Sequence, residues 1–155
     1  KVLASVEYGC AVAGAKLVLV MGHTRCGAVT AAVNLISETQ TPAEATGCQH
    51  LDYIVRDIQQ STDPVTCRDA EQLPVAEKQS FVDAVARRNV SRVVERMREQ
   101  SQTLDGLIRD ERIAIIGAMY DVVTGEITFL ADDGMNHGLP PASGESRRTA
   151  GSAPS

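Results

Sequence analysis

A histidine and a cysteine, His23 and Cys26, stand three residues apart in the glycine-flanked segment 22–27. Imidazole nitrogen and thiolate sulfur are both good zinc ligands, and this offset across a turn lets both side chains enter one tetrahedral site. The spacing alone leaves a second interpretation open, in which His23 caps a strand end and Cys26 is a small buried side chain. A cysteine-phosphatase site is disfavoured, since it would need a histidine adjacent to the cysteine and a following arginine that closes a phosphate loop.

The remaining cysteines give no comparable signal. Four cysteines without a CxxC pair exclude a structural four-cysteine zinc site, and nothing suggests secretion, so we expect reduced thiols. Cys10 lies at a core-facing position of a predicted helix and is expected to be buried and inert. Cys48, His50 and Cys67 fall in polar segments, where a surface position without metal ligation is expected.

The elements around the HxxC pair place it at the carboxyl end of a strand. Apolar residues at helical spacing predict a helix over 2–13, which ends before Gly14. The continuous apolar run 16–21 predicts a strand buried on both faces, and a second helix begins near Cys26. Ligands of open α/β sheets bind at such strand ends, and a helix N-terminus there would favour the thiolate of Cys26. Gly22 and Gly27 would let the backbone turn sharply.

The rest of the chain predicts an α/β fold in one domain. We predict loops over 37–50 and 63–74, helical turns over 51–58, a long helix from Phe81, a short helix near 104–108 and strands over 112–119 and 126–130. The two last strands form an antiparallel edge hairpin on a mostly parallel, three-layer sheet flanked by helices. The domain covers 1–131, and the tail 132–155, rich in Gly, Ala, Pro and Ser, is expected to be disordered.

The composition of the chain argues against nucleic-acid binding and against membrane insertion. The 155 residues include 15 Lys and Arg against 20 Asp and Glu, a net charge of −5, which argues against a nucleic-acid partner. The arginines of the long helix alternate with acidic residues and are read as a solvated face. With no apolar run near the roughly 20 residues of a membrane span and no leader, we expect a cytoplasmic protein. The chain starts at Lys1, directly before an apolar periodic segment, and we expect it to be part of a longer polypeptide.

Two motifs resemble a known enzyme family. The segments SVEYG at 5–9 and GAKLVLVMGHTRCGAV at 14–29, followed by GAMYDVVTGEITFL at 117–130, resemble the β-class carbonic anhydrases. The resemblance implies reversible hydration of carbon dioxide to bicarbonate by a lyase with zinc on two cysteines and one histidine, where His23 and Cys26 match the second and third protein ligands. It also implies a homodimer or higher oligomer. The residues of these motifs are most similar to those of carbonic-anhydrase-like domains fused to sulfate-permease-type anion transporters. This similarity would place the chain on the cytoplasmic side of a membrane.

One family motif is missing. The first zinc cysteine and a catalytic Asp-Arg pair belong to an upstream C-x-D-x-R motif, which this sequence lacks; Cys67-Arg68-Asp69 has the letters in the wrong order. The resemblance therefore implies that N-terminal strands of the family fold are absent, that the 17–21 strand has a free edge, and that this chain alone is inactive. The alternative is a non-catalytic regulatory or assembly module of an anion transporter.

Overall fold

A computed structural model describes residues 1–36, 38 and 40–130 as an α/β fold. Its elements, in chain order, are α1 Val2–Ala11, β1 Leu17–His23, α2 Gly27–Leu35, α3 Pro42–Thr46, α4 Leu51–Gln59, α5 Pro64–Glu71, α6 Val75–Gln100, α7 Gln102–Arg109, β2 Ala114–Tyr120 and β3 Ile127–Leu130. No helix in these ranges is long and apolar enough to cross a membrane. The predicted tail 132–155 lies outside the described residues.

The strands form one mixed sheet in the order β1-β2-β3. β1 pairs in parallel with β2, from Leu17 opposite Ala114 to His23 opposite Tyr120. β3 pairs antiparallel with β2 and completes the hairpin. The α/β class, the parallel pair and the antiparallel edge hairpin are confirmed, and β1 is an edge strand of the described sheet.

Helix α6 packs directly on the sheet backbone. A Cβ at Gly22 would lie 2.7 Å from Val90 Cγ2, and one at Gly117 would lie 2.9 Å from Val90 Cγ1. These two glycines therefore bring α6 close to β1 and β2. Around this contact the core divides into two clusters, one under α2, α4 and α5 and one between α1, α7 and the sheet.

The opposite face of the sheet is largely open in the described part of the chain, and this corrects the prediction that β1 is buried on both faces. Leu17, Leu19 and Met21 are 54%, 40% and 50% exposed, and Phe129 of β3 is 62% exposed. Val18 and Val20 point instead toward the core clusters. The described helices thus cover one face of the sheet. An apolar run in the sequence shows that both faces of a strand favour burial, but it does not show which part of the protein buries them.

Two predicted loops contain helices. Thr41 and Glu44 form a reciprocal capping box that starts α3 within 37–50. Asp63 caps α5 within 63–74, where its carboxylate accepts hydrogen bonds from the Val65 and Thr66 amides at 3.0 Å each. The long helix also begins earlier than Phe81, at Val75. In both missed helices a capping residue precedes proline, a start signal that outweighs the polar composition.

Candidate metal site

His23 is the last residue of β1, and its side chain is exposed. Its Nδ1 lies 2.9 Å from the carbonyl oxygen of Thr24. A carbonyl oxygen only accepts, so the ring nitrogen that faces it must carry the proton. In the neutral form of the ring, this tautomer presents the lone pair of Nε2, the arrangement by which a second hydrogen bond commonly orients metal-binding histidines.

Cys26 is the N-cap residue of α2, with extended backbone angles of φ −71° and ψ 119°. Its carbonyl oxygen accepts hydrogen bonds from the amide and the hydroxyl of Thr30, at 2.9 and 3.0 Å. The thiol makes no capping hydrogen bond and is free and partly exposed. The sulfur therefore remains available as a ligand at the start of α2.

The turn between the two residues is fixed from two sides. The Thr24 amide donates to the Tyr120 carbonyl at 2.9 Å, and the Thr24 hydroxyl accepts from the Val122 amide at 3.1 Å. On the other side, the Arg25 amide donates to Asp83 Oδ1 of α6 at 2.8 Å. Both β2 and α6 therefore hold the segment that carries the HxxC pair.

The sharp bend in this turn falls on Arg25, whose φ is +55°. Left-handed backbone costs a residue with a Cβ about 1–2 kcal/mol, so surrounding contacts must hold it. The prediction that Gly22 and Gly27 make the turn is wrong, since neither has a positive φ. Gly22 is needed instead for close packing against Val90 and Met119.

The charge of Arg25 reaches the neighbouring hairpin. The pKa of Asp121 is lowered, first by the amides of Thr124 and Val123 that donate to its carboxylate and further by the positive charge of Arg25. The turn of β1 and the turn of the β2-β3 hairpin therefore form one connected edge of the molecule.

The other cysteines and His50 lie elsewhere. Cys10 is buried, as predicted, and Cys48 and His50 are exposed. Cys67 is fully buried in the core on α5, which corrects its predicted surface position. No group of three or more His, Cys, Asp or Glu side chains that could hold a metal occurs in the part of the chain that the structure describes.

Sequence reasoning missed Asp83 as a residue of this site. It lies 58 positions from Arg25, and only the packing of α6 against β1 brings the two together. No local pattern in the sequence marks it.

A carbonic anhydrase family model matches residues 1–127. The chain belongs to the carbonic anhydrase family. Carbonic anhydrase 2 of Mycobacterium tuberculosis is 29% identical over 124 residues, a match that covers 80% of this chain and 53% of that protein. The chain thus spans about half the length of the curated relatives that it matches.

Solved β-carbonic anhydrases share the fold. CafA of Aspergillus fumigatus superposes with a TM-score of 0.63 at 22% identity, over 82% of this chain and 54% of that one. A β-carbonic anhydrase from Sordaria macrospora, described as tetrameric, gives a TM-score of 0.65 at 18% identity, over 84% of this chain and 60% of that one. The predicted carbonic anhydrase family is confirmed, and the fold is that of solved β-carbonic anhydrases.

Proposed function

We propose that the complete protein hydrates carbon dioxide reversibly to bicarbonate with zinc, and that this chain supplies two zinc ligands, His23 Nε2 and Cys26 Sγ. The observation that carries the proposal is the hydrogen bond of His23 Nδ1 to the Thr24 carbonyl, which leaves Nε2 for a ligand three residues before the free thiol of Cys26. Membership of the carbonic anhydrase family supports the same reaction.

The donor set fits zinc in part. Imidazole and thiolate are typical zinc ligands, and carbonic anhydrases are the standard example of zinc that activates a bound water for attack on a substrate. A catalytic zinc takes three protein ligands. The proposed pair supplies two of them, and the described residues contain no group of three candidate ligands. We assign the third ligand and the Asp-Arg pair to a C-x-D-x-R motif outside this sequence, so this chain alone is expected to be inactive.

The free edge of β1 supports this assignment. β1 pairs with β2 on one side, and within the described residues its other edge has no partner strand. In the family, the strand with C-x-D-x-R lies next to the strand equivalent to β1. A strand added at this edge would bring its residues alongside His23 and would remove an exposed edge that invites non-native pairing.

The open sheet face supports an oligomer. Four large apolar side chains are exposed on one face of the sheet, namely Leu17, Leu19 and Met21 of β1 and Phe129 of β3. Contiguous apolar surface of this kind is usually covered in a working assembly. We propose a homodimer or a higher oligomer, in line with the tetrameric relative from Sordaria macrospora.

The second candidate function is a non-catalytic module with the carbonic anhydrase scaffold, which regulates or assembles an anion transporter. The missing C-x-D-x-R motif favours this function. The residues of the motifs at 14–29 and 117–130 also favour it, because they resemble domains fused to anion transporters. A protein of this kind would need no zinc for its function.

A hydration assay distinguishes the two candidates. We expect the protein encoded by the whole gene to hydrate carbon dioxide, and Cys26→Ser to abolish hydration because a zinc ligand is lost. The matched control is Cys48→Ser, which changes an exposed free thiol away from the turn and should leave the rate unchanged. An inactive whole protein with no bound zinc would favour the non-catalytic module.

A further inference from the structure

We infer that Asp83 is a positioning residue for the HxxC turn, a role that rests on the proposed zinc function. Its Oδ1 accepts a hydrogen bond from the Arg25 amide at 2.8 Å. Arg25 is the residue between the two ligand positions that adopts left-handed backbone, so this bond holds the strained point of the turn.

The Asp83 carboxylate is itself held in place. Gln79, one helical turn earlier on α6, donates from Nε2 to the same Oδ1 at 3.0 Å. Asp83 is half-buried at the point where α6 packs on β1. The acceptor therefore lies on the 26-residue helix α6 and not in a loop.

The bond acts on Cys26 through the backbone. Arg25 directly precedes the N-cap of α2, so the direction of its peptide sets where Cys26 begins the helix. The Thr24 contacts with the last residue of β2 and with the turn that follows it fix the other end of the HxxC turn, on the side of His23. Asp83 thus supports the cysteine half of the site, whereas Tyr120 and Val122 support the histidine half.

Two substitutions separate the hydrogen bond from the negative charge. Asp83→Ala removes the acceptor, whereas Asp83→Asn keeps a carbonyl oxygen that can accept from Arg25 and Gln79. Glu77→Ala is the matched control, because it removes an exposed carboxylate of the same helix away from the turn.

Two measurements on this chain do not depend on catalytic activity. They are the exchange rate of the Arg25 amide by NMR and the rate of Cys26 alkylation by iodoacetamide. A third measurement is the affinity for Co²⁺, followed by the absorption of the cobalt-thiolate bond. In Asp83→Ala we expect the Arg25 amide to exchange roughly two- to tenfold faster. We also expect the alkylation rate to change and Co²⁺ affinity to fall roughly tenfold or more, as for other residues that orient metal ligands. Asp83→Asn and Glu77→Ala should resemble the wild type in all three.

Unchanged exchange and alkylation in Asp83→Ala would overturn the inference, and so would an Asp83→Asn variant as impaired as Asp83→Ala. Failure of the proposed function has a different signature. In that case the wild-type chain would show no cobalt-thiolate absorption that depends on Cys26, while amide exchange and alkylation would still decide the role of Asp83.

Discussion

The hydrogen bond from His23 to the Thr24 carbonyl decides which imidazole nitrogen faces outward. With Nδ1 engaged at 2.9 Å, Nε2 is the nitrogen left for a metal, and no other side chain is needed to select it. Cys26 reaches the same turn as a helix N-cap whose thiol has no capping role. Two neighbouring backbone features thus fix the places of the two proposed ligands in the turn.

Gly22 of β1 lies so close to α6 that a single added methyl group is expected to destabilise the fold. We expect Gly22→Ala to destabilise the fold by about 1–3 kcal/mol, because its Cβ would lie 2.7 Å from Val90 Cγ2 and 2.9 Å from Met119 Sδ. Urea unfolding of the chain measures this change. Gly106→Ala is the control: it has no neighbour within 4 Å in helix α7 and should stabilise by about 0.5–1 kcal/mol. Equal effects of the two substitutions would contradict the packing of α6 on β1.

At the scale of elements, α4 and α6 are joined through Asp57. Arg92 donates to the Asp57 carboxylate at 2.9 Å, and Arg96 bonds the other carboxylate oxygen. Arg92 also reaches Ser61 Oγ at 2.9 Å and Gln60 Oε1 at 3.0 Å, just beyond the end of α4. The arginines predicted as a solvated face therefore include two that bind the C-terminal end of α4.

This cluster predicts a pH dependence of stability. Burial by itself would raise the pKa of Asp57, but the hydrogen bonds and charges of Arg96 and Arg92 outweigh it and lower the pKa below its ordinary value. The stabilisation is therefore complete above about pH 4, the unfolded value, and is lost as the pH falls through the lower folded value. We expect Asp57→Asn to be less stable than wild type at neutral pH and the difference to shrink on acidification. Denaturant unfolding at several pH values checks this, and a difference independent of pH would contradict it.

Local sequence signals predicted most helices and strands. Two features of the structure, the exposure of β1 and the contact between Asp83 and Arg25, depend on residues far apart in the sequence. Helices α3 and α5 could have been predicted, because Thr41 and Asp63 each precede a proline and act as N-caps. The exposure of β1 could not, since Leu17, Leu19 and Met21 look the same whether or not another layer covers them. Nor could the contact of Asp83 with Arg25, which depends on how α6 crosses the sheet.

For the whole molecule, the open sheet face predicts how the protein assembles. We expect Leu19→Lys to shift an oligomer toward smaller species, because a charge on this face cannot be buried without a partner. The monomer should tolerate it, since Leu19 is 40% exposed in this chain. Light scattering after size exclusion measures the mass. Val75→Lys, at an exposed position outside the sheet, is the control; an unchanged mass for Leu19→Lys would place the interface elsewhere.

We propose His23 and Cys26 as two of the three protein ligands of a catalytic zinc. Zinc K-edge X-ray absorption of the protein encoded by the whole gene counts its sulfur neighbours at about 2.3 Å. We predict two sulfur ligands and one imidazole in the wild type and in Cys48→Ser. In Cys26→Ser we predict one sulfur ligand or a loss of zinc. A wild-type protein without zinc, or a Cys26→Ser protein that keeps both sulfur ligands, would contradict the claim.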